Sequence, residues 1–471
     1  MEFETTNPTQ RRIRAGDRQL PHPPYRLPLL GDVWDLHVTD SSQWGMRGAQ
    51  KYGGIYERDI LGTRVTYVSD PDLLREINDD SLWAKFLGVP IRDLRKVAGD
   101  GLFTAHNSEP NWAKAHAVLA PSFTAAAMRG YHATMQACAA ELVEYWSARP
   151  DEWVDVPADT NKVALEVIGR TAFGYEFQSF TRTEEHPVVT AMLRTLTYLN
   201  RAAYSHPLVE KTIFREQRAQ HQRDVEFVNE TIDDVIAHRM RTGTGGHGDL
   251  LDRMLTVPDP ETGQLLDPTN VRHQILTFLT AGHETTAGVL AFALHYLSVH
   301  PEIADRARQE IATVSTGTDL AFDQVAKLRY VRRVVDETLR LWPTAPGYFR
   351  KARRDTMLGG RYPFERNEWV FIVLLQLHRH ELWGGDPEAF DPDRFLPERI
   401  RGRHPELYRP FGVGMRACIG RQFAQHEMVL ILATLLRSFE LTPEPGYELR
   451  VKETITLKPE ALRLRVSRRD G

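Results

Sequence analysis

Apolar residues recur at spacings of three and four over long stretches of the chain, most plainly from Ala127 to Ser147 and from Arg218 to His238, and this period predicts amphipathic helices. From about Pro121 to Arg241 little else is expected. The N-terminal part reads differently. Pro21-His-Pro-Pro-Tyr-Arg-Leu-Pro-Leu-Leu-Gly31 is punctuated by proline and therefore extended, and the stretch from Ile55 to Ser69, with a turn near Leu61-Gly62, predicts a short strand pair. The longest helical candidate runs from Thr269 to His300, opened by Asp267-Pro268 and stopped by Pro301. Its core, Ile275 to Leu297, is apolar enough to raise the question of a membrane span. Ala281-Gly-His-Glu-Thr-Thr-Ala-Gly288 in its middle makes it instead a buried helix with a polar interruption. The fold class expected is mainly α with small β-sheets.

The interruption admits two readings. Gly282 and Thr285 mark either a close helix crossing or a local opening, because glycine lacks a side chain and threonine can bond a preceding carbonyl. His283-Glu284 also begins an H-E-x-x-H zinc pattern, but position 287 is alanine and the pattern fails. Gly243-Thr-Gly-Gly-His-Gly248 has the letters of a dinucleotide fingerprint but follows a helix rather than a strand, so a flexible loop is expected and no Rossmann unit. Glu337 and Arg340 lie three apart on one face of a helix that must end by Pro343, which suits an exposed ion pair. Phe390-Asp-Pro-Asp-Arg-Phe395 puts Arg394 in an irregular, proline-bearing stretch.

Composition narrows the classes. The chain has 471 residues, 42% of them hydrophobic, and no linker-like stretch divides it. The expected organisation is a flexible tail over residues 1–20 and one domain over 21–471. Lys+Arg 59 against Asp+Glu 63 leaves a net charge of -4, which argues against a nucleic-acid partner. The first twenty residues lack the apolar run of a signal peptide or membrane anchor, so a cytoplasmic protein is expected. Cys138 and Cys418 are then free thiols or ligands. Cys138 falls within an amphipathic helix and reads as packing.

Cys418 sits in Phe411-Gly-Val-Gly-Met-Arg-Ala-Cys-Ile-Gly-Arg421. A thiolate is a soft anionic ligand, and Gly412 and Gly414 let backbone approach a flat cofactor with N–H groups turned to sulfur. A helix carrying Ala424, Met428, Ile431 and Leu435 on one stripe begins just after it, its positive end toward the sulfur. Alone, the cysteine could be a small buried residue at a turn; with the other motifs it reads as an axial iron ligand.

In order, Trp112-x-x-x-His116, Ala281-Gly-x-Glu-Thr-Thr286, Glu337-x-x-Arg340, Phe390-x-x-x-Arg394-Phe395 and Phe411-Gly-x-Gly-x-Arg-x-Cys-x-Gly420 resemble the cytochrome P-450 superfamily of haem-thiolate monooxygenases over residues 20–468. Asn111-Trp-x-Lys-Ala-His116, Leu341-Trp-Pro-Thr-Ala-Pro346 and Lys452-Glu-Thr-Ile-Thr-Leu-Lys-Pro-Glu460 are similar to the haem domain of bacterial self-sufficient fatty acid hydroxylases. The resemblance implies the P-450 fold, a helix-rich triangular prism enclosing haem b. It implies dioxygen and an apolar small molecule as substrates. Electrons would come from NAD(P)H through a flavin- or iron-sulfur-containing donor, external or fused; the 53 residues after Cys418 (471 minus 418) leave no room for such a domain within this chain.

The resemblance also implies roles for residues. Cys418 would bind iron, with Phe411 packed beside the sulfur; Arg416, Trp112, His116 and Lys85 would hold the haem propionates. Thr285 and Glu284 would deliver protons to dioxygen, and Glu337, Arg340 and Arg394 would form a buried charge network. Ile91, Leu94, Phe103, Ala281, Ala345 and Ile455 would line the substrate pocket, each of which could equally be core, and Tyr67 would join its wall at the channel mouth. In those hydroxylases an arginine and a tyrosine four positions apart on one strand hold the substrate carboxylate. If Tyr67 takes the tyrosine's place, the arginine position is Thr63, and Arg64 points away unless a bulge intervenes. The expected reaction is subterminal hydroxylation of medium to long acyl chains with weak head-group discrimination. Tailoring of a bulkier secondary metabolite, peroxide-driven chemistry or isomerisation, and a non-catalytic haem sensor are the alternatives; Thr285 beside Glu284 favours oxygen activation.

Overall fold

The computed structural model describes residues 18–469 apart from 29, 34–36, 38, 151, 183, 204–213, 245, 247 and 318. The helices that bear on the site are α1 (Val89–Ala98), α2 (Pro110–Leu119), α3 (Met128–Ser147), α4 (Val156–Phe173), α5 (Pro187–Ala203), α6 (Arg215–Thr242), α7 (Pro268–Val299), α8 (Arg329–Leu341) and α9 (Arg421–Ser438). The periodic stretches predicted as helices thus appear as α3, α6 and α7. Asp267 caps α7, its side chain accepting from Asn270 N at 2.9 Å with Pro268 in the first turn. No helix among the described residues is long and apolar enough to cross a membrane.

Helix α7 runs through the largest hydrophobic cluster, packed on α4 and α9. Its glycines resolve the two readings of the interruption. A Cβ on Gly282 would come within 3.0 Å of Ile168 on α4, and one on Gly288 within 2.7 Å of Leu457 O. The helix stays α-helical through residues 281–286, so these are close crossings; the alternative of a local opening is not what the structure adopts. Thr285 Oγ1 donates to Ala281 O at 2.7 Å without breaking the helix.

Twelve named strands form small sheets. The largest has the order β1-β2-β8-β5-β3, built from β1 (Ile55–Ile60), β2 (Thr63–Val68), β3 (Trp83–Lys85), β5 (Gly347–Ala352) and β8 (Trp369–Val373). The others are β4 (Trp153–Asp155) with β12 (Arg463–Arg468) and β9 (Phe439–Pro443), β6 (Thr356–Leu358) with β7 (Tyr362–Phe364), and β10 (Val451–Glu453) with β11 (Leu457–Pro459). Between β1 and β2, Leu61 (φ 52°) and Gly62 (φ 79°) are both left-handed, as a tight two-residue hairpin requires. The pairing runs unbroken from Ile55 opposite Val68 to Ile60 opposite Thr63, with no bulge. Val65 and Tyr67 therefore face the cluster of Trp44, Tyr56 and Phe371, while Val68 faces that of Ile55 and Val370.

The expected tail boundary at residue 20 needs correction. Arg18 donates to Glu57 Oε2 at 3.1 Å and to Glu368 Oε2 at 3.2 Å and lies over the Phe364 ring, and Leu20 is buried, so residues 18–20 belong to the folded body. Residues 1–17 lie outside the described residues.

The Glu337–Arg340 pair is not an exposed one: both side chains are 0% accessible. Arg340 Nε and Nη2 donate to the two oxygens of Glu337 at 2.7 and 2.8 Å, and the remaining donors reach the carbonyls of His378, Pro387 and Ala389 at 2.9, 2.7 and 3.0 Å. Asp391 N donates to Glu337 Oε1 at 2.8 Å, and Arg394 Nε lies 3.5 Å from the same oxygen. Arg394 itself ties down Trp383 O and Gly384 O, at 3.0 and 2.7 Å. Glu337→Gln should leave two enclosed guanidinium groups without a counter-charge, a loss of about 3–5 kcal/mol. Urea unfolding measures it, with Glu337→Asp expected to lose less; a wild-type midpoint for Glu337→Gln would refute the assignment.

Candidate active site

The cysteine loop is shaped by two left-handed glycines, Gly412 (φ 69°) and Gly414 (φ 66°). At Gly414 a side chain would collide with the Asp80 carboxylate, which accepts from Met415 N at 3.1 Å and from Arg350 at 2.9 Å. Cys418 N donates to Phe411 O at 2.8 Å, which closes the loop, and the Phe411 ring packs against the main core with the Arg421 guanidinium 5.7 Å from its centre. Upstream, Arg409 N donates to His378 Nε2 at 3.1 Å, and Arg340 grips the carbonyl of that same histidine. Burial and the adjacent Arg340 hold His378 down at a pKa of about 3, so its ring stays neutral and remains an acceptor. The buried charge network thus reaches the cysteine loop through one residue.

Helix α9 begins at Arg421, directly after the loop, as expected. Met428, Ile431 and Leu435 are buried as its predicted stripe requires, while Ala424 is half-buried. The Cys418 side chain is exposed on one side and backed by protein on the other. Burial pushes its pKa up, and the Gly420 N–H and Arg421 offset this in part. The loop and the start of the helix thus favour the thiolate as expected, while desolvation opposes them, and a metal would displace the proton. Cys138 is fully buried in α3 and its thiol is pushed up to about 12 by burial, consistent with packing.

Three of the four residues expected to hold carboxylates meet around Arg416, and the fourth stacks on one of them. The Arg416 guanidinium lies 4.0 Å from the Trp112 ring centre and donates to His106 O at 3.1 Å. The Trp112 and His116 rings stack with centres 5.0 Å apart. Lys85 donates to Phe103 O. Burial, with Arg416 beside it, lowers Lys85 to about 7; burial lowers Arg416 to about 10, and burial and Arg416 lower His116. Lys85 retains some accessible area, but the protein surrounds it closely enough for desolvation to dominate. Among the described residues neither Lys85 nor Arg416 forms an ion pair. Two cations depressed by burial, with an aromatic donor and an imidazole beside them, suit a ligand bearing two carboxylates. Together with the Cys418 donor, this set fits haem.

On α7, Glu284 and Thr285 turn to different partners, as successive helical residues must. Glu284 is buried, accepting from Thr456 Oγ1 at 3.2 Å, with Lys458 Nζ at 3.9 Å. Ala281 is exposed one turn before Thr285, and Ala345 is exposed just after Thr344, whose carbonyl accepts from Leu457 N at 3.0 Å. Leu94 packs with Leu196 and Leu199 of α5, and Ile455 joins them; Ile91 is half-buried on the same helix as Leu94. Phe103 is 37% exposed, its ring 5.2 Å from Lys85 Nζ. Tyr67 departs from the expected pocket wall. It is 7% exposed, stacked 4.8 Å from Tyr56 and set edge-on to Phe371 and Trp44, because the β2 alternation turns it into the sheet's aromatic cluster. A groove of about 700 Å³ lined by His132, Thr313, Leu320 and Gln324 contains none of these residues.

Sequence reasoning missed Thr456 and Lys458, although both lie in the Lys452–Glu460 stretch that carried part of the resemblance. It also missed Glu427 on α9, a fully enclosed carboxyl held well above its ordinary pKa by burial, with the Thr286 side chain opposing the shift. Nothing in the helical pattern around it signals a buried acid.

The cytochrome P450 family model matches residues 21–466. A bifunctional cytochrome P450/NADPH–P450 reductase of Bacillus cereus is 42% identical over 421 residues, 89% of this chain and 39% of the relative. A second, of Bacillus subtilis, is 41% identical over 452 residues, 96% of this chain and 42% of the relative. The self-sufficient cytochrome P450 monooxygenase CYP505E3 of Phanerodontia chrysosporium is 36% identical over 456 residues, 96% of this chain and 43% of the relative. The chain thus spans about two-fifths of the length of these curated relatives. The crystal structure of a cytochrome P450 (CYP102L1) superposes with a TM-score of 0.90 at 47% identity, covering 96% of this chain and all of that one. With its cysteine loop, its buried Glu337–Arg340 pair and its matched length taken together, the chain belongs to the cytochrome P450 family of haem-thiolate monooxygenases.

Proposed function

We propose that this chain hydroxylates medium- to long-chain fatty acids or acyl chains at subterminal carbons, with electrons from NAD(P)H passed through a flavin- or iron-sulfur-containing donor. The observation that carries the reading is the pairing of the Cys418 thiol in its glycine-bent loop with two cations, Lys85 and Arg416, both depressed chiefly by burial and without an ion-pair partner among the described residues. The names of the relatives, which join a cytochrome P450 to its reductase, support the electron source. Bound at this site, haem supplies an iron for dioxygen activation, and thiolate ligation favours O–O cleavage.

The chain's own residues do the rest. Cys418 gives the sulfur ligand, while Arg416, Lys85, Trp112 and His116 hold and neutralise the carboxylates. Thr285 is uncharged and its hydroxyl can exchange Ala281 O for a water, so it passes a proton without placing a fixed charge beside an apolar substrate. Glu284 is the proton reservoir behind it, and swinging from Thr456 toward Thr285 completes the transfer. Leu94, Leu196, Leu199 and Ile455 offer an apolar wall worth about 0.8 kcal/mol per buried methylene. Thr63 and Arg64 are both exposed on opposite faces of β2, and only Thr63 shares the Tyr67 face. A carboxylate therefore gains little at the mouth.

The reduced carbon monoxide complex should show the red-shifted Soret band of thiolate ligation, and Cys418→His should abolish it; a variant that kept the band would remove Cys418 as the ligand. Thr285→Ala should still oxidise NADPH but pass its two electrons, with two protons, to dioxygen that leaves as hydrogen peroxide. Product formed per NADPH oxidised reads this out, and unchanged coupling would sink the relay. Spin-state titrations with a fatty acid and its alcohol of equal length should give affinities within about fivefold of each other, since an exposed charge pair is worth only about 0.2 to 1 kcal/mol. Thr63→Arg should raise the preference for the acid. A strong wild-type preference that Arg64→Ala abolishes would contradict the assignment.

A further inference from the structure

Phe103 rides on the short loop between α1 and α2, and that loop is fastened at both ends. At one end Asp100 is a hub. Its Oδ1 accepts from His273 Nδ1 at 2.7 Å and from Asn270 Nδ2 at 2.9 Å, and its Oδ2 accepts from Asn111 Nδ2 at 2.7 Å. Leu102 N donates to Gln274 Oε1 at 3.0 Å, and Gln274 in turn donates to Asn270 Oδ1 at 3.1 Å. His273, Asn270 and Gln274 belong to α7, the helix that carries Glu284 and Thr285. The contact is tight: a Cβ at Gly99 (φ 49°) would strike the His273 ring, and one at Gly101 the Thr277 hydroxyl. Burial alone would raise the Asp100 pKa. Bonds from Asn111, His273 and Asn270 outweigh it and hold the carboxyl below its usual value, so the hub is a carboxylate.

At the other end the carbonyls of Phe103, Ala105 and His106 accept from Lys85 and Arg416. Between these ties the Phe103 backbone is held through its own carbonyl, and its ring is left partly exposed.

We propose that Asp100 and His273 are positioning residues that clamp the Phe103 loop to α7 and thereby set which carbon of an acyl chain is hydroxylated. The proposal rests on the reading of Phe103 as a pocket residue of a fatty acid hydroxylase. A charge-assisted hub with three donors holds the ring in one place, so the chain's terminal carbons meet one obstacle rather than a moving one. Without it, several sites along the chain become reachable.

The test compares wild type with Asp100→Ala, Asp100→Asn and His273→Phe. His273→Phe keeps a ring against Gly99 while removing the hydrogen bond. Three readouts are taken on the haem-loaded protein: the reduced carbon monoxide band, amide deuterium exchange over residues 99–105, and the positions hydroxylated on dodecanoate. Asp100→Ala should keep the band, speed exchange of the loop amides by about tenfold, and spread the products over more carbons. Asp100→Asn retains acceptor oxygen for two of the donors and should fall between. Exchange and product positions matching wild type in Asp100→Ala and His273→Phe, with the band intact, would overturn the clamp. If Asp100→Ala does not take up haem, His273→Phe and Asp100→Asn decide by the same two readouts. Absence of the thiolate band in wild type would instead overturn the cytochrome reading itself.

Discussion

The bidentate pair of Glu337 and Arg340 is the contact on which the cysteine side of the molecule depends. Neither residue touches Cys418. Arg340 spends three further donors on the carbonyls of His378, Pro387 and Ala389, segments that have no regular structure of their own to satisfy those groups. Irregular backbone in an interior is stable only when its polar groups find partners, and here one guanidinium supplies several at once. His378 then passes the constraint to Arg409, and Arg409 O accepts from Gly412 N at 3.0 Å, at the threshold of the glycine-bent loop. A soft ligand must be held at a fixed height by rigid backbone, and this chain of bonds provides the rigidity.

The second organising principle is the division of labour along α7. Its glycines face α4 and β11, bringing backbone close to backbone, while its polar residues are distributed by the helical period. Glu284 is turned to β10 and β11, Thr285 to the pocket, and Thr286 toward the enclosed Glu427. Three consecutive polar side chains therefore have three environments: a partly charged one, an open one and an apolar one.

Much of this was legible in the sequence because it is local. Helix periods, the Asp267-Pro268 start of α7, the Leu61-Gly62 turn and the three-residue spacing of Glu337 and Arg340 each follow from short-range geometry. The glycine pattern around Cys418 is a backbone requirement written into residue type. What stayed hidden depends on tertiary approach. The local sequence around Glu337 suits an exposed pair; its burial, which the resemblance implied, comes from the packing of the 378–394 segments. The donors that favour the Cys418 thiolate are visible in its motif, whereas the desolvation that opposes them is not. Thr456 and Lys458 lie over 170 positions from Glu284, and Asp100 is as far from His273; no periodicity connects them. Tyr67 was placed in the correct strand with the correct face, but what that face meets was decided by Tyr56, Trp44 and Phe371.

The unbroken register of the β1–β2 hairpin has a further consequence. Side chains on a strand alternate strictly, so the face that Arg64 occupies is a matter of parity alone. β8 pairs with Thr66, Tyr67 and Val68 only, while at the tip the second neighbour, the 30–32 segment, lies on the β1 side and leaves Thr63–Val65 paired with β1 alone. A single extra residue between Arg64 and Val65 would form a bulge there, leave the central sheet untouched, and carry Arg64 across to the Tyr67 side. Head-group selectivity in this scaffold is thus one insertion away, with no existing side chain replaced: a change of count rather than of chemistry.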